Sequence, residues 1–150
     1  MTHVNPNDEE IRNILQATRT IALVGASEKP NRPSNGVMKY LQTEGYRVIP
    51  VNPLLAGKTL LGKRVVSDLA SIEEPVDIVD IFRNSAAAGD AVRAAIEQKD
   101  RLGIGAVWMQ IGVINEQAAR EAAEAGLAVV MDLCLKIEQR RLMPGEAARG

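Results

Sequence analysis

The sequence holds 150 residues with a formal net charge of −1, and 46% of them are hydrophobic but only 3% aromatic. That length suits one domain over 1–150, with an ordered core of about 8–142 that must be aliphatic, since at this size folding buries roughly 70% of the unfolded surface. The near-neutral charge argues against nucleic acid as a partner, no apolar run approaches the ~20 residues that span a bilayer, and the single Cys134 excludes an internal disulfide and points to the cytoplasm.

Asn7 followed by Asp8, Glu9 and Glu10 predicts a helix start, with Ile11, Ile14 and Leu15 on one face. Thr20–Val24 is a short apolar run ending at Gly25 and predicts a buried strand. A loop with two prolines follows from Ala26 to Pro33. Ser34 is the expected cap of a second helix carrying Val37, Met38 and Leu41, which Gly45 stops. A second strand is predicted over Tyr46–Val51, ending in Asn52-Pro53. Leu54 to Glu74 reads as irregular, with one short helix begun at Asp68. Val76–Phe82 is the third strand, Ser85–Gln98 an alanine-rich helix, and Ala106–Met109 the fourth strand. Asn115 caps a helix ending at Gly126, Leu127–Met131 is the fifth strand, and Leu133–Leu142 is helical, with the last few residues frayed.

Strands and helices thus alternate, and the strands are continuously apolar. Such strands belong to a parallel sheet covered on both faces. Right-handed crossovers leave the doubly wound, Rossmann-like α/β fold as the leading topology, with five strands. No repeat or linker suggests a second domain.

In such sheets a ligand lies beyond the carboxyl ends of the strands, where strand order reverses. Those ends are Gly25-Ala26-Ser27, Asn52-Pro53, Phe82-Arg83 and Met109-Gln110. The first leads to a helix N-terminus, which suits a phosphate, and Lys29, Arg32 and Lys58 are cations near it. Taken singly, Gly25 is a tight turn and the cations are ordinary surface charges; their convergence on one edge points to a ligand with several phosphates. Val24-Gly25-Ala26-Ser27 is not G-x-G-x-x-G, and Asn52-Pro53 stands where a ribose-binding acid is expected, so NAD is disfavoured.

Val24-Gly25-Ala26-Ser27 with Lys29-Pro30 and Arg32-Pro33-Ser34, then Gly45-Tyr46 and Pro50-Val51-Asn52-Pro53, resembles the small stand-alone CoA-binding proteins. So do Val76 to Arg83, Val107-Trp108-Met109-Gln110 with Gly112-Val113, and Ala125-Gly126-Leu127. The resemblance runs from about Ile11 to Leu142, and the family is similar to the first domain of the succinyl-CoA synthetase α subunit and of ADP-forming acyl-CoA synthetases. It implies coenzyme A across the strand ends. Gly25, Ala26 and Ser27 would receive its phosphates, with Arg32 and the helix at Ser34; Asn52 and Pro53 would border the adenosine, and Lys58 would contact CoA. Phe82 and Arg83 would line the middle, with Trp108, Met109 and Gln110, followed by Gly112, on the pantetheine arm.

The synthetases also carry a phosphorylated histidine on a second domain. The one histidine here is His3, in a polar stretch expected to be mobile. The resemblance therefore implies a CoA or acyl-CoA carrier, sensor or regulatory module, acting alone, with a protein partner or as a homo-oligomer, without catalytic machinery of its own. Asp77 and Asp80 fall within a strand and have no evident partner. The alternatives are a redox or thiol-protecting protein forming a mixed disulfide between Cys134 and CoA, and an NAD(P)-binding oxidoreductase. Cys134 as a small buried hydrophobe is the favoured reading.

Overall fold

The computed structural model describes residues 2–146. Helix α1 (Asp8–Ala17) begins where the sequence places it. Asn7 Oδ1 accepts the Glu10 N–H at 2.9 Å and Glu10 Oε1 accepts the Asn7 N–H at 3.2 Å, a reciprocal capping box. Strand β1 (Thr20–Val24) follows, then α2 (Pro33–Thr43) and β2 (Arg47–Val51). Two two-residue strands, β3 (Thr59–Leu60) and β4 (Lys63–Arg64), form a hairpin in the segment expected to be irregular. Its turn residues Leu61 and Gly62 both have positive φ, 47° and 79°, which fits the right-handed twist of a two-residue hairpin. A single 3₁₀ turn (Leu69–Ser71) starts at Asp68, whose carboxylate accepts the Ser71 N–H.

Strand β5 (Ile78–Ile81), α3 (Ser85–Leu102), β6 (Ala106–Met109), α4 (Glu116–Glu124), β7 (Ala128–Val130) and α5 (Leu135–Leu142) complete the chain. The sheet order is β2-β1-β5-β6-β7, all parallel. This is the doubly wound arrangement, and its order reverses between β1 and β5. One face packs under α1, α2 and α5 through Ile11, Leu15, Met38, Leu41 and Leu135; the other packs under α3 and α4 through Val92, Ala95, Ala119 and Ala122. Every residue of β5 and β6 is buried, as a sheet covered on both faces requires.

Several boundaries differ from the sequence reading by one or two residues at the strand ends, and α3 runs four residues further, to Leu102. Ser34 is not the cap of α2. Pro33 occupies the first helical position, where its fixed φ and missing N–H cost nothing, so the preceding Arg32 becomes the extended N-cap and Ser34 lies within the first turn.

The described residues before α1 and after α5 are also tied down more than their composition suggests. His3 Nε2 lies 3.0 Å from the Val129 carbonyl, and Asn5 both donates to Met131 O at 2.9 Å and accepts the Met131 N–H at 2.8 Å. His3 is thus fixed against β7 rather than loose. Beyond α5, Glu146 pairs with Arg12 at 2.6 Å and Met143 is buried; residues 147–150, part of the tail expected to fray, lie outside the described residues.

Two acids within the third predicted strand have different fates. Asp77 Oδ2 accepts the N–H groups of Arg19 and Thr20, at 2.9 and 3.0 Å, and so holds the entry to β1. Asp80 is fully buried in β5 between Leu23 and Trp108, and neither carboxyl oxygen has a hydrogen-bond partner. Burial pushes its pKa well above the ordinary carboxylate value, which favours the neutral form.

Candidate functional site

The carboxyl ends of β1, β2, β5 and β6 enclose a crevice of about 830 Å³. It lies at the reversal of strand order, where ligands of doubly wound sheets bind. Gly25 makes the crossing possible. Its φ is +90°, and a Cβ built there would sit 2.2 Å from the Phe82 carbonyl oxygen, so the loops leaving β1 and β5 pass too closely for any side chain. The Gly25 and Ala26 N–H groups both turn back to Val51 O, at 3.0 and 3.3 Å.

Two asparagines then fix the loop into α2. Asn52 Nδ2 donates to Ala26 O at 2.8 Å while its Oδ1 accepts the Leu54 N–H, joining the β1 and β2 loops. Asn35 Nδ2 donates to Ser27 O at 3.0 Å, and Ser27 Oγ accepts the Lys29 N–H at 3.1 Å. Helices α1, α3 and α4 are capped by the side chains of Asn7, Asn84 and Asn115, whereas Arg32 gives α2 no side-chain cap. In the first turn of α2 Pro33 has no N–H, and the N–H groups of Asn35 and Gly36 turn to Arg32 O at 3.1 and 3.4 Å, so the Ser34 N–H is the donor left uncapped beside the crevice, at the positive end of the helix dipole.

Ten of the fifteen residues singled out in the sequence line this crevice: Gly25, Ala26, Ser27, Lys29, Arg32, Ser34, Asn52, Phe82, Arg83 and Gln110. Lys29, Arg32 and Arg83 have no carboxylate partner among the described residues. Gln110 is buried, and its Oε1 is enclosed and accepts no hydrogen bond.

The remaining five are elsewhere. Trp108 and Met109 are fully buried and do not line the crevice, which corrects their expected place on a pantetheine arm. Trp108 packs beneath α1, α2 and α5, its Nε1 donating to Leu133 O at 2.9 Å, and Met109 packs on the opposite face with α3 and α4. The carboxyl edge of β6 begins at Gln110. Gly112, at φ +83°, supports the next loop by donating to Asp132 Oδ1 at 2.7 Å. Lys58 is exposed and sits 3.8 Å from the crevice residue Glu28, an ion pair worth at most about 1 kcal/mol. Pro53 lines a second, smaller pocket of about 200 Å³ between the end of β2, the 3₁₀ turn and α3; Arg83 borders both.

Leu54, Leu55, Ile111 and Val113 also line the main crevice, and sequence reasoning missed them. Cys134 is buried in the core beneath α5 and lines neither pocket, so the thiol of a ligand in the crevice does not meet its sulfur in this conformation. Among the described residues no group of three or more His, Cys, Asp or Glu is placed to hold a metal ion, and no helix is long and apolar enough to cross a membrane.

A family model described as a CoA binding domain matches residues 19–140 of the chain. The chain is 40% identical over 133 residues to the uncharacterized protein YneT of Bacillus subtilis (strain 168), covering 89% of this chain and 94% of that one. Its fold superposes on a hypothetical protein from Pyrococcus horikoshii OT3 with a TM-score of 0.85 at 38% identity, over 95% of this chain and 99% of the other. It also superposes on a dinucleotide-forming acetyl-coenzyme A synthetase of Ca. Korarchaeum cryptofilum, at a TM-score of 0.66 and 18% identity, over 81% of this chain and 28% of the synthetase. At that identity the likeness is one of fold.

Proposed function

This chain belongs to the CoA-binding domain family, and from that premise and the crevice we propose that it binds coenzyme A or an acyl-CoA as a carrier, sensor or regulatory module of the cytoplasm. The observation that carries the reading is the uncapped start of α2 facing the crevice beside Lys29, Arg32 and Arg83. Backbone N–H groups at a helix N-terminus hold phosphate oxygens, and guanidinium groups add charge-assisted, often bidentate, hydrogen bonds. The pyrophosphate lies over Gly25–Ser27 and the start of α2, within reach of Arg32.

The adenosine then lies toward Asn52 and Pro53, with the smaller pocket between β2 and α3 as the place for its base. Arg83 stands between that pocket and the main crevice. Lys58 exchanges its weak pairing with Glu28 for a phosphate. The pantetheine arm runs the other way, over Phe82 toward Gln110. This leaves the adenosine and the thiol at opposite ends of the crevice.

Calorimetry of the purified chain against CoA, NAD and ATP tests this directly. CoA binding that weakens with added salt is the expected result, because the phosphates dominate recognition. Binding of NAD with none of CoA at millimolar concentration overturns it.

A further inference from the structure

The lining of the crevice changes character along its length. Around the start of α2 it is polar and cationic, with Ser27, Lys29, Arg32 and Ser34; beyond β6 it becomes aliphatic, with Ile111 and Val113. Ile111 is 56% exposed and Ile114, three residues on, 48%, in a chain that buries most of its aliphatic side chains. The loop carrying them, from Gln110 to Asn115, contains no charged residue.

That loop is also firmly held. Gln110 N–H donates to Ile81 O at 3.2 Å and Val113 N–H to Gln110 O at 2.8 Å. Ser85 Oγ accepts the Ile114 N–H at 3.0 Å, and Asn115 Nδ2 donates to Ser85 O at 2.9 Å. Gly112 N–H donates to Asp132 Oδ1, so the charged group bound to this loop is a carboxylate. An aliphatic patch on a loop fixed in advance binds without an ordering cost, and a neighbouring carboxylate repels a second one.

Resting on the CoA reading, which directs the thiol toward β6, we infer that the Ile111 end of the crevice takes the acyl group of a thioester and selects an uncharged aliphatic chain over one that ends in a carboxylate. Ile111 and Val113 give the chain its apolar wall. The discrimination comes from that wall, against which a terminal carboxylate is desolvated without a partner, and the charge of Asp132, which holds Gly112 from outside the crevice lining, adds to it.

Calorimetry with acetyl-, butyryl-, hexanoyl- and succinyl-CoA tests this. Butyryl and succinyl groups each have four carbons and differ at the far end by a carboxylate. Affinity is expected to rise about twofold per added methylene, half the gain of full burial, and succinyl-CoA to bind about tenfold more weakly than butyryl-CoA. Ile111→Ser should flatten the dependence on chain length. Asp132→Asn keeps a residue that tolerates the positive φ and an acceptor for Gly112, and should narrow the butyryl-to-succinyl ratio. Equal affinity from acetyl to hexanoyl, or succinyl-CoA binding as tightly as butyryl-CoA, overturns the inference and leaves CoA binding standing. Failure of CoA and every thioester to bind removes the reading beneath it as well.

Discussion

Replacing Asp80 by asparagine keeps the shape of the side chain and removes its ability to ionise. In the native chain the group is fully buried, has no hydrogen-bond partner for either oxygen, and meets no charge that offsets its desolvation. Its pKa is therefore raised above the value of about 3.9 that it has in the unfolded chain. Between those two pKa values the native state holds one proton that the unfolded state has released. Stability from this group is full below the unfolded pKa, falls by about 1.4 kcal/mol per pH unit as pH rises, and levels off above the folded pKa. Asp80→Asn lacks that slope. Urea unfolding of both proteins at pH 5, 6, 7 and 8 isolates the term, because every other titrating group is common to the two. The variant should gain on the wild type as pH rises above the unfolded value of about 3.9, with a limiting slope of about 1.4 kcal/mol per pH unit. Parallel profiles at all four pH values would refute the reasoning, by showing that water or a movement of the sheet solvates the carboxylate.

Gly25→Ala places a methyl group against the Phe82 carbonyl at a positive φ, so it should cost about 2 kcal/mol or more in urea unfolding and weaken CoA at least about tenfold; an unchanged midpoint would show that the two loops have room to part. Arg32→Ala should lower CoA affinity about 10- to 100-fold in calorimetry and make its salt dependence shallower. Full affinity would place the phosphates elsewhere. Cys134 should react with a bulky disulfide reagent far more slowly in the native chain than in urea, and incubation with CoA disulfide should leave the intact mass unchanged. Rapid formation of a CoA adduct, lost on reduction, would mean that the segment before α5 opens to the crevice.

What could be read in the sequence and what could not divides along physical lines. Asn7 and Asn115 announce helices because a cap acts within three residues, and both are caps in the structure. Pro33 carried the stronger signal than Ser34 at the start of α2, since a proline at the first helical position moves the cap back by one. The crevice residues around Gly25 and Phe82 were legible because a parallel sheet brings its strand ends together whatever the loops contain. Trp108 and Met109 were misplaced for the converse reason. A strand buried on both faces shows no alternation, so nothing in Ala106–Met109 reveals that the open edge starts only at Gln110. Leu54 and Ile111 carry no local mark of function, being common residues given meaning by a crevice. The contacts of His3 and Asn5 with Val129 and Met131 span 126 positions and leave no trace in local pattern.

Those last contacts bear on how the molecule behaves in company. An open sheet has two lateral margins, each a row of unpaired backbone groups on which another chain can polymerise. Along β7 the amide of Asn5 imitates a neighbouring strand, giving and receiving at Met131, while the His3 ring covers the next outward carbonyl. Along β2 the outward position at Pro50 has no donor to offer, and its carbonyl is taken by Val66, which also receives the Asn52 N–H. Sheet growth is thus obstructed at these positions by Asn5 and His3 on one side and by Pro50 and the Val66 backbone on the other. Edge-to-edge pairing of this protein with a second copy is thereby disfavoured at both margins of the sheet.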